Sequence, residues 1–381
     1  MVRQSEIDVA LAAAEQPVMV ETAAQFQRSL GDWLDCDVIG IDTEFVRERT
    51  WRADLGLVQL SDGKRVWLVD PQKTGSLQPL STLLDANGKV KILHAPSEDL
   101  GVLLDATNTC PTPLFDTQIA CAMLGQSLQM GYHKTVEWLL GIAIDKGETR
   151  SNWCKRPLRP AQLLYAALDV CLLPAMHKQL LTRLKILERE SWLTEDCERM
   201  LRKARKPVDP EQAWMRINGN GRMDGSALAI LKLLATWRDL EAEKRNRARG
   251  FVIPDNALLT IARVQPASLD ELSALDVLHP IAIRRYAKSL LSTIEQARQQ
   301  DIQATPLPVL ESKQRRLLGV MRKRVQQRAA EHSVEPALLA SRRELENLIF
   351  LPGDARLPEK FLGWRKGLIT DELMALKEEF K

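Results

Sequence analysis

The stretch "DVIGIDTEF", residues 37–45, joins a short apolar run to two carboxylates, Asp42 and Glu44. In an extended strand, side chains two positions apart point to the same side, so the two carboxylates would repel each other. Either the pair faces water, or a bound cation offsets the repulsion. Hard divalent cations such as Mg²⁺ and Mn²⁺ take oxygen ligands, and clustered carboxylates hold them. The stretch therefore predicts a β-strand that ends at the solvent or at a metal site.

Two other places in the first half carry acids of the same kind. Asp99 follows a strand-like run in "HAPSEDL" (94–100), in the first turn of a predicted helix. Tyr165 and Asp169 lie one helical turn apart in "YAALDVCLL", so they share a face. Each has an ordinary explanation: a helix start favours an anion, and a helical aspartate pairs with an arginine or faces solvent. The three places therefore have to be interpreted together.

The first half alternates strand-like and helix-like segments. The runs at 37–45, 55–62 and 65–71 predict a three-stranded meander, and 90–95 predicts a fourth strand. A long helix is predicted from Pro160 onwards to about residue 192, with a bend at Pro174. A meander followed by mixed strands and helices predicts an α/β domain.

The second half is predicted to be helical. Residues 202–212, "RKARKPVDPEQ", lack periodicity and form the predicted linker. Beyond it, 253–264 resembles 334–345, with a shared Ala-Leu-Leu offset by 80 residues. Two copies of a helical unit predict two small domains, because a solenoid needs about three repeats.

Composition excludes some classes of protein. A chain of 381 residues predicts two or three domains, and 45% hydrophobic with 27% charged residues is typical of soluble globular proteins. No apolar run approaches the roughly 20 residues that span a bilayer, so no membrane association is expected. Six scattered cysteines without a C-x-x-C pair, and no signal peptide, predict reduced thiols in a cytoplasmic protein.

Charge is unevenly distributed along the chain. Residues 1–205 carry 24 Lys and Arg against 27 Asp and Glu, and residues 206–381 carry 29 against 23. A basic second half is suited to hold a polyanion. Basic runs usually form solvated helix faces; the candidate nucleic-acid contacts among them are Arg202, Lys203, Lys244, Arg245, Arg322 and Lys323.

Taken together, the acidic positions carry a family resemblance. Asp42-x-Glu44 on a first strand, Asp99 five residues after His94, and Tyr165-x-x-x-Asp169 on a late helix resemble the three motifs of the DEDD 3′-5′ exonucleases, tyrosine subgroup. The stretches "DTEFVRERTW", "LGLVQL", "DTQIA" and "RSNWCKRPL" are similar to the ribonuclease D family. The helical repeats resemble that family's HRDC modules (helicase and RNase D C-terminal).

The resemblance implies a domain organisation. It implies an α/β ribonuclease H-like exonuclease domain, with a mixed sheet flanked by helices, followed by two small all-α HRDC-like domains. The expected boundaries are a flexible leader at 1–17, the exonuclease domain at 18–205, and HRDC-like domains at 206–300 and 301–381.

The resemblance also implies a chemistry. Asp42, Glu44, Asp99 and Asp169 would hold two Mg²⁺ or Mn²⁺ ions, and Tyr165 would orient the attacking water. The implied partner is RNA with a free 3′ end, above all tRNA precursors, with no obligate protein partner. His94 is expected to be a structural hydrogen-bonding residue.

Two rival functions remain open from the sequence. The same carboxylates would serve a proofreading or repair exonuclease on DNA. A non-catalytic RNA-binding adaptor could be built on an inactive nuclease, although all five motif residues are present.

Overall fold

The computed structural model of the chain describes residues 2–145, 147–148, 151–299 and 309–380. These residues form two compact units. Unit 1 comprises Met1–Val46, Leu55–Lys206 and Leu310–Lys381, and unit 2 comprises Arg47–Asp54 and Pro207–Val309. Among the described residues, no helix combines the length and apolar character that a bilayer span requires.

Unit 1 is built around one six-stranded mixed sheet. Its strands are β1 Val18–Val20, β2 Val38–Val46, β3 Asp54–Ser61, β4 Val66–Val69, β5 Val90–Leu93 and β6 Leu114–Asp116. The strand order is β1-β4-β3-β2-β5-β6. The predicted meander is confirmed, since β2, β3 and β4 are neighbours, and β3 runs antiparallel to β4. The pairs β1–β4, β2–β5 and β5–β6 are parallel.

The sheet is flanked by helices, so the predicted ribonuclease H-like α/β fold is confirmed. The helices up to residue 206 are α1 Gln4–Glu15, α2 Ala23–Leu34, α3 Pro71–Thr74, α4 Ser81–Leu84, α5 Asp99–Thr107, α6 Thr117–Met123, α7 Tyr132–Leu140, α8 Pro160–Cys171, α9 Leu173–Ile186 and α10 Glu190–Arg205. A 3₁₀ turn, Gln78–Leu80, precedes α4.

Gly40 on β2 sets how closely the sheet and two helices approach. A Cβ atom at this position would lie 2.9 Å from Cβ of Leu173 and 3.1 Å from the carbonyl oxygen of Val170. Only glycine leaves room for this contact, because real Cβ atoms do not approach other heavy atoms so closely. The C-terminal end of α8 is therefore brought against β2, two residues before Asp42.

The expectation of a flexible leader at residues 1–17 is wrong. Residues 4–15 form α1, which contacts α8. Its side chains Ile7, Ala10 and Ala14 are buried. They recur on one face of the helix, and burying that face offsets the entropy cost of ordering the segment.

The single long helix predicted from Pro160 is three helices instead. Pro174 lies in the first turn of α9, where the missing N–H costs no hydrogen bond, so the bend is a helix start. A second break separates α9 from α10 at Glu188, whose φ is +56°. This left-handed conformation ends a helix.

Unit 2 is helical, with its own buried core. Its helices are α11 Gly225–Lys244, α12 Arg249–Val252, α13 Asp255–Val264, α14 Leu269–Ala274 and α15 Pro280–Gln299. The predicted linker at 202–212 is only partly irregular, because α10 runs to Arg205 and a 3₁₀ helix, Pro210–Arg216, begins within it. Trp214 of that 3₁₀ helix is buried. A further 3₁₀ turn covers Asn220–Arg222. Residues 47–54 cluster with this unit, and Trp51 packs against its core.

The C-terminal helices belong to unit 1. They are α16 Ser312–Glu331, α17 Pro336–Leu339, α18 Arg342–Phe350 and α19 Asp371–Glu379, with a 3₁₀ turn at Glu359–Phe361 and a π-helical turn at Lys366–Thr370. The expected separate domain at 301–381 is therefore not found as a separate unit, since residues from Leu310 cluster with those of the α/β domain. Residues 301–308 and 381 lie outside the described residues.

A buried ion pair joins these C-terminal helices to α10. Arg365 donates to both carboxylate oxygens of Asp196 at 2.7 and 2.6 Å. Their side chains are 1% and 0% exposed. Beside them the rings of Trp192 and Trp364 stack 4.5 Å apart, inclined by 5°. The C-terminal helices thus complete the core of unit 1.

Candidate active site

Three elements of unit 1 present the predicted acids. Asp42 and Glu44 lie on β2, and Asp99 opens α5, the helix that follows β5. Tyr165 and Asp169 lie on α8. Because β2 and β5 are parallel neighbours, the end of β2 lies close to the start of α5. The contact at Gly40 brings α8 to the same end of the sheet.

The carboxylates converge. One oxygen from each of Asp42, Glu44 and Asp169 lies within 4.8 Å of the others. Asp99 stands outside this group of three, and its carboxylate accepts a short hydrogen bond from the hydroxyl of Thr43. The structure therefore brings three of the predicted acids together and places the fourth beside the residue that separates Asp42 from Glu44.

The cluster is electrostatically costly. Burial, followed by the charges of Asp99, Asp169 and Glu44, raises the pKa of Asp42 well above its ordinary value. Burial, followed by the charges of Asp169 and Asp99, raises the pKa of Glu44 to about 8, and burial raises the pKa of Asp169 to about 7. Burial also raises the pKa of Asp99, against the lowering effect of the Thr43 hydroxyl. Positive charge at this place would favour ionisation of all four acids.

The site fits divalent cations. The Oδ1 atom of Asp169 is buried and has no hydrogen-bond partner among the described residues. An unsatisfied buried carboxylate oxygen is expensive, so a ligand at this atom is expected. The donors Asp42, Glu44 and Asp169 all offer oxygen, the ligand type that Mg²⁺ and Mn²⁺ prefer.

These pKa shifts predict how the ion-free protein responds to pH. In the unfolded chain both Glu44 and Asp169 titrate near pH 4, whereas in the fold their pKa values are about 8 and about 7. Between these limits the folded state binds more protons, so the free energy of unfolding falls as pH rises. We expect a loss on the order of 6 kcal/mol between pH 5 and pH 8, measured by urea unfolding in a chelator.

The control for this measurement is the same titration with saturating Mn²⁺. Cations that bind the ionised carboxylates offset the loss, so the decline should become shallow. Glu44→Gln should also reduce the slope in the chelator. Equal stability of the ion-free protein at pH 5 and pH 8 would contradict the assigned shifts.

The acids open onto a cavity of about 370 Å³. Its walls include Asp42, Tyr165 and Asp169. Burial and the nearby carboxylates, above all Asp169, raise the pKa of Tyr165 far above its ordinary value. The phenol therefore stays protonated, and it can donate or accept a hydrogen bond but cannot act as a base.

The cavity also contains three aromatic residues that sequence reasoning did not assign to it: His94, Tyr132 and His133. His94 is hydrogen-bonded at both nitrogens, to Thr117 at 2.8 Å and the Met130 carbonyl at 3.0 Å. Burial lowers the pKa of His94 to about 4, so it is neutral and structural, as predicted.

His133 lies close to the carboxylate cluster. Its Nε2 atom lies 3.8 Å from Oδ1 of Asp169, and its ring centroid lies 6.3 Å from that of Tyr165. The only sequence signal was its place beside Tyr132 at the start of a helix. That position carries no spacing relation to the acidic motifs, so the tertiary structure was needed to find it.

The predicted nucleic-acid contacts separate into two groups. Arg202 is paired with Glu359 at 2.6 Å and Glu198 at 3.4 Å, and Arg245 is paired with Glu241. The other four are exposed and form no ion pair with another described residue: Lys203, Lys244, Arg322 and Lys323. The latter group is the better source of free positive charge.

Known families match two parts of the chain. The family described as 3′-5′ exonuclease matches residues 17–185. The HRDC domain family matches residues 227–294, which lie within the first predicted HRDC-like domain. A second HRDC-like domain at 301–381 stays a prediction.

Named relatives match nearly the whole chain. Ribonuclease D of Pseudomonas paraeruginosa is 35% identical over 358 residues, covering 92% of this chain and 95% of the relative. Ribonuclease D of Escherichia coli is 36% identical over 353 residues, covering 90% and 93%.

A solved structure agrees with these matches. The crystal structure of Escherichia coli RNase D, described as an exoribonuclease involved in structured RNA processing, superposes with a TM-score of 0.88 at 34% identity. The superposition covers 96% of this chain and 99% of that one.

Proposed function

The chain belongs to the ribonuclease D family of 3′-5′ exoribonucleases, and on that premise we propose that it trims the 3′ ends of tRNA precursors and other structured RNAs. As a family member it is a 3′-5′ exoribonuclease that uses divalent metal ions. The proposed products are 5′-mononucleotides. The convergence of Asp42, Glu44 and Asp169 within 4.8 Å carries the proposal, because such a cluster suits phosphodiester hydrolysis.

Two ions, Mg²⁺ or Mn²⁺, are the proposed cofactors. Asp42, Glu44 and Asp169 would hold one of them, and Asp99 would support the second together with Asp42. When bound, such a pair supplies an activated water and neutralises charge on the leaving oxygen. The short distances among the three carboxylates, and the position of Asp99 outside their group, support this division of roles.

The side chains of the protein position the reactants. Tyr165 lines the same cavity as Asp42 and Asp169, and its protonated hydroxyl would orient the attacking water. Its raised pKa argues for positioning over proton abstraction, because a phenol with a high pKa already holds its proton near neutral pH and no phenolate is available as a base. Water held in line with the scissile bond contributes to the rate through orientation.

A single assay tests the proposed substrate. A 5′-labelled tRNA precursor with a 3′ extension and a single-stranded DNA of the same length are incubated with Mg²⁺, Mn²⁺ or a chelator. We expect stepwise shortening of the RNA, release of mononucleotides, and no reaction in the chelator. Preferential digestion of the DNA would overturn the RNA assignment, and RNA binding without shortening would favour an adaptor.

The free basic residues are proposed to grip the RNA backbone. Each phosphate contact releases counterions, so log K falls with log salt in proportion to the number of contacts. We expect Arg322→Gln with Lys323→Gln to weaken tRNA binding about tenfold at low salt and to reduce the salt slope by about 1–2. Fluorescence anisotropy with labelled tRNA measures both quantities.

The matched control neutralises two arginines that already have acidic partners. Arg202→Gln with Arg245→Gln removes the same formal charge, yet these guanidinium groups are paired within the protein. Replacing both arginines should change the Kd for tRNA by less than threefold. Equal effects of the two double variants would show that local pairing does not decide which residues contact RNA.

The proposed place of action is the cytoplasm. All six cysteines are described residues and none forms a disulfide, which suits a reducing compartment.

A further inference from the structure

The ring of Tyr165 packs against a tryptophan outside the carboxylate cluster. The ring centroids of Trp153 and Tyr165 are 6.1 Å apart, with the planes inclined by 36°. Trp153 is only 2% exposed. The tryptophan is therefore fixed within unit 1, and the position it takes limits where the phenol ring can lie.

Trp153 lies in a segment, residues 151–159, that forms neither helix nor strand. Because no regular backbone hydrogen-bond pattern fixes this segment, hydrogen bonds from side chains are needed to hold it in place. Arg156 supplies most of them. Its Nε and Nη2 atoms donate to the two carboxylate oxygens of Asp70 at 2.7 and 2.9 Å. This is a bidentate pair, the strongest arrangement between these two side chains.

The remaining donors of Arg156 bind backbone carbonyls. Nη1 donates to Trp153 at 2.7 Å and to Lys155 at 3.1 Å. Nη2 also donates to Gly56 on β3 at 2.7 Å. All five guanidinium N–H groups therefore have a partner, and one of them is the carbonyl of the tryptophan itself.

Asp70 gives this bond network a rigid base. Its side chain is 2% exposed and caps α3 by accepting from the backbone N–H of Gln72 at 3.0 Å. Burial acts to raise the pKa of Asp70, but the Arg156 guanidinium outweighs it and holds the pKa below the ordinary value. Gln72 in turn donates from its side chain to the Cys154 carbonyl at 3.0 Å.

Gly56 sets the distance between this segment and the sheet. A Cβ atom at position 56 would lie 2.6 Å from the carbonyl oxygen of Trp153. That backbone atom cannot rotate away as a flexible side chain could. The segment therefore presses directly on β3 and has little freedom to shift.

We propose that Trp153, fixed by the Arg156–Asp70 ion pair, is a positioning residue that holds the Tyr165 ring, and with it the hydroxyl, in the cavity that Asp169 also lines. The proposal rests on the role proposed above for Tyr165 in orienting water. It assigns a catalytic consequence to a segment that contains no metal ligand. Trp153 acts through Tyr165, so its loss should matter only while the hydroxyl is present.

The test is a double-mutant cycle on exonuclease turnover. We expect Trp153→Ala to lower kcat about tenfold and to leave KM within twofold, because a misplaced phenol affects orientation and leaves RNA binding intact. Tyr165→Phe should lower kcat about 100-fold. The variant that combines Trp153→Ala with Tyr165→Phe should have the same kcat as Tyr165→Phe alone. Trp153→Phe, which keeps an aromatic ring, should recover most of the wild-type rate.

A second variant and a control accompany the cycle. Arg156→Lys keeps the charge but loses the bidentate fork, so it should show the same non-additivity with Tyr165→Phe and carries the test if Trp153→Ala does not fold. Trp192→Ala removes a tryptophan that stacks on Trp364. It should leave kcat within twofold.

The outcomes separate the two proposals. Wild-type turnover by Tyr165→Phe would overturn the role of Tyr165 and the present inference with it. A second outcome is that Tyr165→Phe lowers kcat, and that Trp153→Ala and Arg156→Lys lower it by the same factor whether or not the Tyr165 hydroxyl is present. That outcome would overturn only the positioning role of Trp153.

Discussion

Asp42→Ala and Asp169→Asn are each expected to lower exonuclease turnover more than about 10³-fold, since several kcal/mol of transition-state stabilisation depend on the bound cations. Of the two residues, Asp42 is the more strongly expected to bind the cations. Its carboxylate is buried and is repelled by all three other acids, Asp99, Asp169 and Glu44. Release of mononucleotides from a 3′-extended tRNA in Mg²⁺ measures the loss.

Folding has to be separated from chemistry in these variants. Removing one of several repelling carboxylates should stabilise the ion-free protein, so the inactive variants should unfold at the same or higher urea concentration than wild type in a chelator. Asp105→Asn, at an exposed position on α5, is the matched control and should keep full activity. Degradation of RNA at the wild-type rate by Asp42→Ala or Asp169→Asn would refute the assignment.

Arg365→Met is expected to destabilise unit 1 by about 3–5 kcal/mol, because it leaves Asp196 buried without its bidentate partner. The guanidinium also donates to the Leu338 carbonyl at 3.0 Å. Arg199, which reaches Asp196 with a single bond at 3.0 Å, cannot replace it. Urea unfolding of the full chain, with Mg²⁺ held constant, measures the difference.

Two further variants sharpen this prediction. Asp196→Leu combined with Arg365→Met removes both charges and should regain much of the lost stability, since a buried pair replaced by apolar groups is often near neutral. Arg342→Met removes the surface ion pair between Arg342 and Glu346. The Arg342 side chain is 70% exposed, so this change should lower the free energy of unfolding by less than about 0.5 kcal/mol. If Arg365→Met and Arg342→Met unfold at the same urea concentration, the buried ion pair does not stabilise unit 1 as predicted.

The C-terminal pairing also changes how a truncation would behave. Removing every residue after about 206 should weaken RNA binding, but it would also strip Asp196 of Arg365 and expose the apolar surface under α16. Loss of affinity in such a fragment would therefore mix two causes. The charge variants at Arg322 and Lys323 avoid this problem because they leave the core intact.

Sequence patterns predicted the elements with a clear period and missed the short ones. β2, β3, β4 and β5 were expected from their apolar runs, whereas β1 and β6 have three residues each, too few to show alternation. The sequence did contain a signal for the burial of α1, because Ile7, Ala10 and Ala14 share one face of the helix. Its alanines offered too little apolar contrast to distinguish a packed helix from a leader.

The sequence by itself determined the five motif positions, their order, and the strand or helix that carries each, because side-chain direction within an element follows from local periodicity. The tertiary structure alone decided which acids meet. Gly40 admits α8 to β2, Asp99 is turned to Thr43, and Trp153 reaches Tyr165 through a network anchored at Asp70. Such contacts join residues far apart in the chain, so packing and charge pairing fix them and no local pattern encodes them.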